Sequence, residues 1–281
     1  MELPDKDGVS GVRINAKLVR DLLVRFLADE TTSAGFSRAV VGLSGGVDSA
    51  VVAALAAEAL GSRNILGVIM PYRLSNPESA THAALMAEKL GIRTETVDIT
   101  AMTDGYCDQH KVKEKVRRGN VLARMRMIVL YDLSARENAL VLGTSNKTEI
   151  MLGYGTLHGD MASAINPVGD LYKSQVWQLA EELGIPTPIV KKKPSADLWD
   201  GQTDEGEMGF LYRDVDRLLY FMIDERRTDA DLLKMGFKTP FIGKVKELIR
   251  KNQFKRRPPL IAKISYRTVN VDFRYVRDWG I

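Results

Sequence analysis

Arg38 to Leu43 is a short apolar, β-branched run, and Ser44-Gly45-Gly46-Val47-Asp48-Ser49 follows it directly. An alanine-rich helical stretch, Asp48 to Leu60, comes next. A buried strand that passes through a glycine turn into a helix is the building unit of a parallel sheet. Two glycines let the backbone approach an anion closely, and the amides and dipole at the helix start favour phosphate. Ser44 and Ser49 add hydroxyl donors. Asp48 is out of place in a plain anion site, but a carboxylate beside polyphosphate makes sense if magnesium bridges the two. The competing reading is a Gly-Gly turn with Asp48 as the helix N-cap. No Gly-Lys-Ser/Thr follows at the Walker spacing.

Working outward, further strands are expected over Asn64 to Pro71, Arg93 to Ile99 and Ala139 to Gly143. Helices are expected over Lys17 to Ala28, Pro77 to Leu90, Val112 to Arg136 and Lys173 to Leu183, the last ended by Gly184 and Pro186. This alternation predicts an α/β fold, a single doubly wound parallel sheet with helical additions at both ends. Ligands of such sheets sit at the carboxyl ends of the strands, so the loops after Leu43 and Gly143 should line one site. Past Pro194 the pattern becomes polar and irregular, as expected of an active-site loop followed by small helices rather than a second domain.

The chain has 281 residues, 45% hydrophobic and 27% charged, as expected of a globular protein, with no apolar run long enough to span a bilayer. Met1 to Asp7 is acidic and lacks a signal-peptide layout. The lone cysteine, Cys107, excludes an intrachain disulfide and argues against a cysteine-ligated metal. Together these point to the cytoplasm, without a membrane partner. Net charge is +4, with basic residues crowded between Lys244 and Arg267. Too few aromatics, Phe254, Tyr266, Phe273 and Tyr275, interleave with them for base stacking, so nucleic acid is not an expected partner. His82, His110 and His158 are too scattered for a metal triad, and Trp177, Trp199 and Trp279 read as packing residues.

The second cluster, Gly143-Thr144-Ser145-Asn146-Lys147-Thr148-Glu149, follows the fourth strand and runs on in polar and glycine-rich sequence to Asp160. Glu149 can complete a magnesium site with Asp48; the bland alternative is a surface helix residue. The first loop resembles the signature of the ATP pyrophosphatases. With three further blocks, Gly119-Asn120 through Arg124-Met125-Arg126-Met127, Gly143 to Asp160 and Lys193-Pro194-Ser195-Ala196-Asp197-Leu198, nearly the whole chain resembles the ammonia-dependent NAD synthetases, which have the adenine nucleotide α-hydrolase-like fold and no glutaminase domain.

The resemblance implies one unit over residues 1–281, with an N-terminal helix at 13–34, a lid loop at 195–207 and a basic segment at 244–281. It implies that Gly42, Leu43, Ser44, Gly45, Gly46, Val47, Asp48 and Ser49 bind ATP with Thr144, Lys173 and Ser195. Asp48 and Glu149 would hold magnesium. Asn120, Arg124, Leu157, Asp160, Ala164, Phe254 and Lys255 match deamido-NAD positions. Three of these depart from the family pattern: Leu157 replaces a lysine, Ala164 an aspartate and Phe254 a histidine. The implied reaction is adenylation of the nicotinate carboxylate of deamido-NAD by ATP, then amidation by ammonia to give NAD, AMP and pyrophosphate. Asp48, Lys173 and Asp160 would act in catalysis. The implied assembly is a homodimer to which the helix around Leu18 to Leu27 contributes. Alternatives are another ATP pyrophosphatase, tRNA-modifying or GMP-synthetase-like, or a nucleotide-binding regulator without catalysis.

Overall fold

A computed structural model describes residues 11–199 and 201–268. The acidic start of the chain, Asp200, Phe273, Tyr275, Trp279 and the rest of the basic segment past 268 lie outside the described residues. Four strands, β1 (Ala39–Gly42), β2 (Ile65–Ile69), β3 (Arg93–Thr96) and β4 (Leu140–Leu142), form one parallel sheet in the order β3-β2-β1-β4. Each was expected from its apolar run, and each is shorter than that run at one or both ends. β1 pairs with β2 on one side, Ala39 beside Ile65, and with β4 on the other, Ala39 beside Leu140. The order therefore reverses at β1, which opens a crevice beyond the carboxyl ends of β1 and β4.

Helices cover both faces. Along β1, Ala39 and Val41 belong to one apolar cluster and Val40 to another, the alternation that pleating imposes. The Val41 side is packed by α1 (Ala16–Ser33), α2 (Val47–Leu60), α3 (Pro77–Leu90) and α7 (Lys173–Glu182). α2 is buried through most of its circumference, from Val47 to Ala56, because α1 and α7 close over the side it turns away from the sheet. The Val40 side is packed by α5 (Lys115–Glu137), and α4 (Thr100–Gln109) packs in turn against α5. Cys107 is buried there, and burial pushes its thiol above the usual range, so it is an inert core residue. No helix among the described residues is long and apolar enough to cross a membrane.

β4 leads into α6 (Lys147–Leu152). After α7 the chain forms α8 (Thr187–Val190), a loop, α9 (Asp204–Met208), α10 (Tyr212–Leu219) with a π-turn to Asp224, α11 (Asp229–Lys234) and α12 (Thr239–Lys251). These last helices surround a third apolar cluster built on Tyr172, Tyr212, Val215, Leu218, Leu219 and Val245. α12 is longer than the small helices expected of this region.

Asp216 joins this cluster to the sheet. It is fully buried on α10, and its carboxylate accepts from Thr148 Oγ1 at 2.5 Å, Ser174 N at 2.7 Å and Ser174 Oγ at 2.6 Å. It thereby ties the start of α6 to the start of α7. Burial pushes Asp216 up to about 6, against the opposing pull of the Ser174 and Thr148 hydrogen bonds. The native chain then binds this proton more readily than the unfolded one, whose aspartate titrates near pH ~4. This contribution to stability is therefore greatest in acid and falls as pH rises through about 6. Asp216→Asn should remove that part of the pH dependence, read as the difference in urea midpoint from wild type between about pH 4 and 7. Asp216→Ala should cost about 3 kcal/mol by stranding buried donors.

Candidate active site

The crevice is a cavity of about 780 Å³ lined by the loops after β1, β2 and β4 and by the segment between α8 and α9. The first loop is rigidly shaped. Gly45 has φ +71°, and a Cβ there would lie 2.2 Å from the Ser79 carbonyl oxygen on α3. Only glycine fits. Gly46, rather than Asp48, caps α2. The Ser49 hydroxyl donates to Gly46 O at 3.0 Å and lies 3.3 Å from the Ser44 amide. Ser49 therefore braces the loop, while the α2 N-terminus faces the cavity with its dipole.

Asp48 is freed from capping and points inward. Its Oδ2 accepts from Lys173 Nζ at 2.5 Å and its Oδ1 from Asn146 Nδ2 at 3.0 Å. Glu149 completes a capping box at the start of α6, where Asn146 Oδ1 accepts from Glu149 N at 3.0 Å and Glu149 Oε2 from Asn146 N at 3.2 Å. Its other oxygen lies 3.7 Å from Lys173 Nζ. Glu149 is thus not a surface residue. Lys173 opens α7 with its side chain only 3% exposed. Burial alone would lower its pKa, but the Asp48 and Glu149 carboxylates outweigh burial and hold the ammonium above the usual lysine range. Burial, then the nearby Asp48 charge, pushes Glu149 up to about 8.

A third carboxylate, Asp204 on α9, stands behind this pair. Tyr212 Oη lies 3.0 Å from Asp204 Oδ2 and 3.5 Å from Glu149 Oε1, and Tyr154 Oη lies 3.0 Å from Asp204 Oδ1. Burial raises the Asp204 pKa, with Lys173 and the two tyrosines opposing. Asp48, Glu149 and Asp204 crowd one ammonium, so a further cation is needed before all three can ionise together. Two cavity-facing carboxylates whose oxygens keep lone pairs beyond those used by Lys173, Asn146 and Tyr212 are what magnesium uses when phosphate supplies further ligands. The donor set at Asp48 and Glu149 therefore fits that ion.

The segment expected to form a lid is stapled at both ends. Asp197, in the left-handed region at φ +52°, accepts from Asn76 N and Ser79 Oγ, each at 2.9 Å. Asp204 accepts from Ala196 N at 3.1 Å, and Asp204 N donates to Pro194 O at 3.1 Å. Ser195 and Trp199 line the cavity beneath it, so Trp199 does more than fill the core. Trp177 does pack, edge-on against Tyr212.

At the other end, Asn120, Asp160 and Lys255 line the cavity with Thr144. Asn120 accepts from Thr156 Oγ1 at 2.8 Å, and Lys255 donates to Gly153 O at 2.7 Å and Gly155 O at 2.8 Å. Asp160 accepts from Thr156 N at 2.8 Å. It is open to the cavity yet set deep among protein atoms, which raises its pKa despite the Thr156 hydrogen bonds. Arg124, Leu157, Ala164 and Phe254 are not in the cavity wall. Arg124 instead points outward and donates to the Leu157 carbonyl at 3.2 Å, Ala164 is exposed, and Phe254 is 61% exposed.

Four wall residues, Tyr154, Asp204, Lys192 and Arg126, and two buried behind the wall, Asn146 and Tyr212, had no individual role expected of them. The spacing Asn146 to Glu149 is a legible capping box. The others come from helices far apart in the chain, and nothing local marks them.

The model of the NAD synthase family matches residues 19–259. The NH(3)-dependent NAD(+) synthetase of Trichlorobacter lovleyi is 58% identical over 272 residues, 97% of this chain and all of that protein. Among solved structures, the NH3-dependent NAD synthetase of Campylobacter jejuni shares 32% identity at a TM-score of 0.76, covering 89% of this chain and all of that one. The NMN synthetase of Francisella tularensis shares 32% at a TM-score of 0.78, covering 90% of this chain and all of that one.

Lys173→Met would leave Asp48, Glu149 and Asp204 facing one another without a cation. Its unfolding free energy in metal-free buffer should fall by about 3–5 kcal/mol, as when one partner of a buried pair is removed. Denaturant titration reads this directly, and wild-type stability in the variant would contradict the central role of the ammonium.

Proposed function

The chain belongs to the NAD synthase family as an ammonia-dependent ligase, and from that premise we propose how its cavity turns deamido-NAD into NAD. The carrying observation is the convergence of Asp48, Glu149 and Lys173 at the mouth of a glycine loop. In the first step a nicotinate carboxylate oxygen attacks the α-phosphorus of ATP. An O–P bond forms, the bond to the β-phosphate oxygen breaks, and pyrophosphate leaves. The residues Gly42 to Ser49, with Thr144 and Ser195, hold ATP, the α2 amides facing its phosphates. Lys173 is positioned to follow the charge that moves onto pyrophosphate. Asp48 and Glu149 would hold magnesium, which when bound spreads that charge further.

In the second step ammonia attacks the adenylated carbonyl carbon, the C–O bond to AMP breaks, and a proton leaves the nitrogen. Asp160 takes this proton. Its raised pKa makes it a stronger base than an ordinary aspartate. The Lys193 to Asp204 segment, stapled by Asp197 and Asp204, keeps water from the adenylate. Asn120 and Lys255 contact deamido-NAD. Arg124, Leu157, Ala164 and Phe254 reach it only if a second chain completes the site.

A second reading, amidation of the corresponding mononucleotide, is favoured only by the resemblance to the Francisella NMN synthetase. The 58% relative favours the dinucleotide. Residues 1–281 act as one unit in this reading, in the cytoplasm, and as a homodimer. The exposed side chains of Leu18, Leu22 and Phe26 on α1 supply apolar surface for that contact.

Incubation with ATP, magnesium, ammonium and deamido-NAD should yield NAD and AMP in equal amounts, with the mononucleotide run in parallel as the poorer substrate. No NAD would defeat the reading. Asp48→Asn and Glu149→Gln should each lower kcat at least about 100-fold, the scale for losing one charge-stabilising contact. Unchanged turnover would defeat the metal assignment. Sedimentation at micromolar protein should show a dimer that Leu22→Glu weakens, whereas a monomer in wild type would contradict the assembly.

A further inference from the structure

Helix α5 carries two arginines toward the carboxyl end of β2, and their surroundings differ. Arg118 is paired: it donates to Tyr72 Oη at 2.9 Å and forms an ion pair with Asp104. Arg126 lines the cavity wall. Its Nε lies 3.4 Å from the Met70 carbonyl and its Nη2 3.4 Å from Ser75 Oγ, both at the long limit for N–H···O bonds. Among the described residues it forms no ion pair within 4.0 Å. The carboxylates whose charge reaches it are Asp197 and Asp160, one from each of the two segments that wall the cavity. Burial pushes the guanidinium below the usual arginine value, and those two carboxylates only partly offset it. It nevertheless stays protonated.

A guanidinium has five donors in a rigid fork. Two are weakly engaged here, and these two aim the side chain without satisfying it. The rest of the fork faces a cavity that must accept two polyanionic nucleotides. A charge taken out of water without a partner is costly, and the cost is recovered only when an anion arrives. Planar recognition of phosphate oxygens is what the fork suits best. Lys192, another cation of the cavity lining, already donates to Ser79 Oγ at 2.8 Å.

We infer that Arg126 binds a phosphate oxyanion of a nucleotide substrate through the guanidinium edge left free in the ligand-free chain, held in aim by Met70 O and Ser75 Oγ. This rests on the reading of the cavity as the NAD-forming site. It adds a substrate-binding residue between the ATP loop and the Asp160 segment. The phosphate comes either from ATP or from the pyrophosphate bridge of deamido-NAD, and separate titrations distinguish the two sources.

The test uses full-length Arg126→Met and Arg126→Lys, with calorimetric titration of ATP alone and of deamido-NAD alone, and melting of the ligand-free chains. A structural arginine and an anion-binding one behave oppositely here. Loss of a structural arginine lowers the melting temperature. Loss of an unpaired buried charge leaves it unchanged or raises it. Arg126→Met is expected to melt at or above wild type and to bind one of the two nucleotides about 10- to 100-fold more weakly, the scale of a charge-assisted hydrogen bond. Whichever titration weakens identifies the phosphate. Arg126→Lys should recover part of the loss, since it keeps the charge but not the fork. The affinities decide: if both nucleotides bind Arg126→Met within about threefold of wild type, the inference is overturned, whatever the melting temperature. NAD formation by the wild-type chain is scored separately. Its failure would remove the reaction assignment while the affinity comparison still stood, so the two failures are distinguishable.

Discussion

The buried ammonium of Lys173 is the contact on which the rest of the site depends. It joins three segments that the sheet brings together but does not bind to one another: the β1 loop through Asp48, α6 through Glu149 and the start of α7. A buried lysine is stable only with anions beside it, and a pair of buried carboxylates only with a cation between them. Each half of the arrangement therefore requires the other. In the ligand-free chain the lysine supplies the positive charge that lets Asp48 and Glu149 stand side by side.

The surrounding shell keeps this charge cluster in register. Asp216 fixes the ends of α6 and α7 from behind, through Thr148 and Ser174. Asn146 caps α6 and donates to Asp48, so the helix start and the cavity-facing carboxylate are set by one side chain. Tyr154 and Tyr212 present hydroxyls to Asp204. Buried polar groups of this kind are stable only when nearly every member is satisfied. Arg126 is less well satisfied: among the described residues its fork makes only two long hydrogen bonds and no ion pair.

Much of this could be read before any coordinates. Strand, glycine turn and helix over Arg38 to Leu60 implied the parallel sheet, because the turn chemistry and the hydrophobic period agree locally. The ends of α3, Pro77 and Leu90, were marked by proline at the start and glycine past the end. Less legible was the region beyond Pro194. Its helices bury apolar faces against one another rather than against the sheet, so α10 and α12 have no strand partners to announce them. The π-turn after α10 broke the helical period further.

By itself, the sequence determined the kind of chemistry. Gly45, Gly46, Asp48 and Glu149 are residue types with narrow uses, and their spacing around strand ends restricts them to one edge of a sheet, while Lys173 was added by the family resemblance. Only the tertiary structure decided which residues share a cavity. It put Asp204 and Arg126 in the wall, set Tyr212 behind it, and left Arg124, Leu157, Ala164 and Phe254 out of it. The reason is physical. Local sequence controls backbone conformation through steric and hydrogen-bonding preferences within a few residues. The direction a distant side chain faces follows from how whole helices pack, and that is a property of the folded chain.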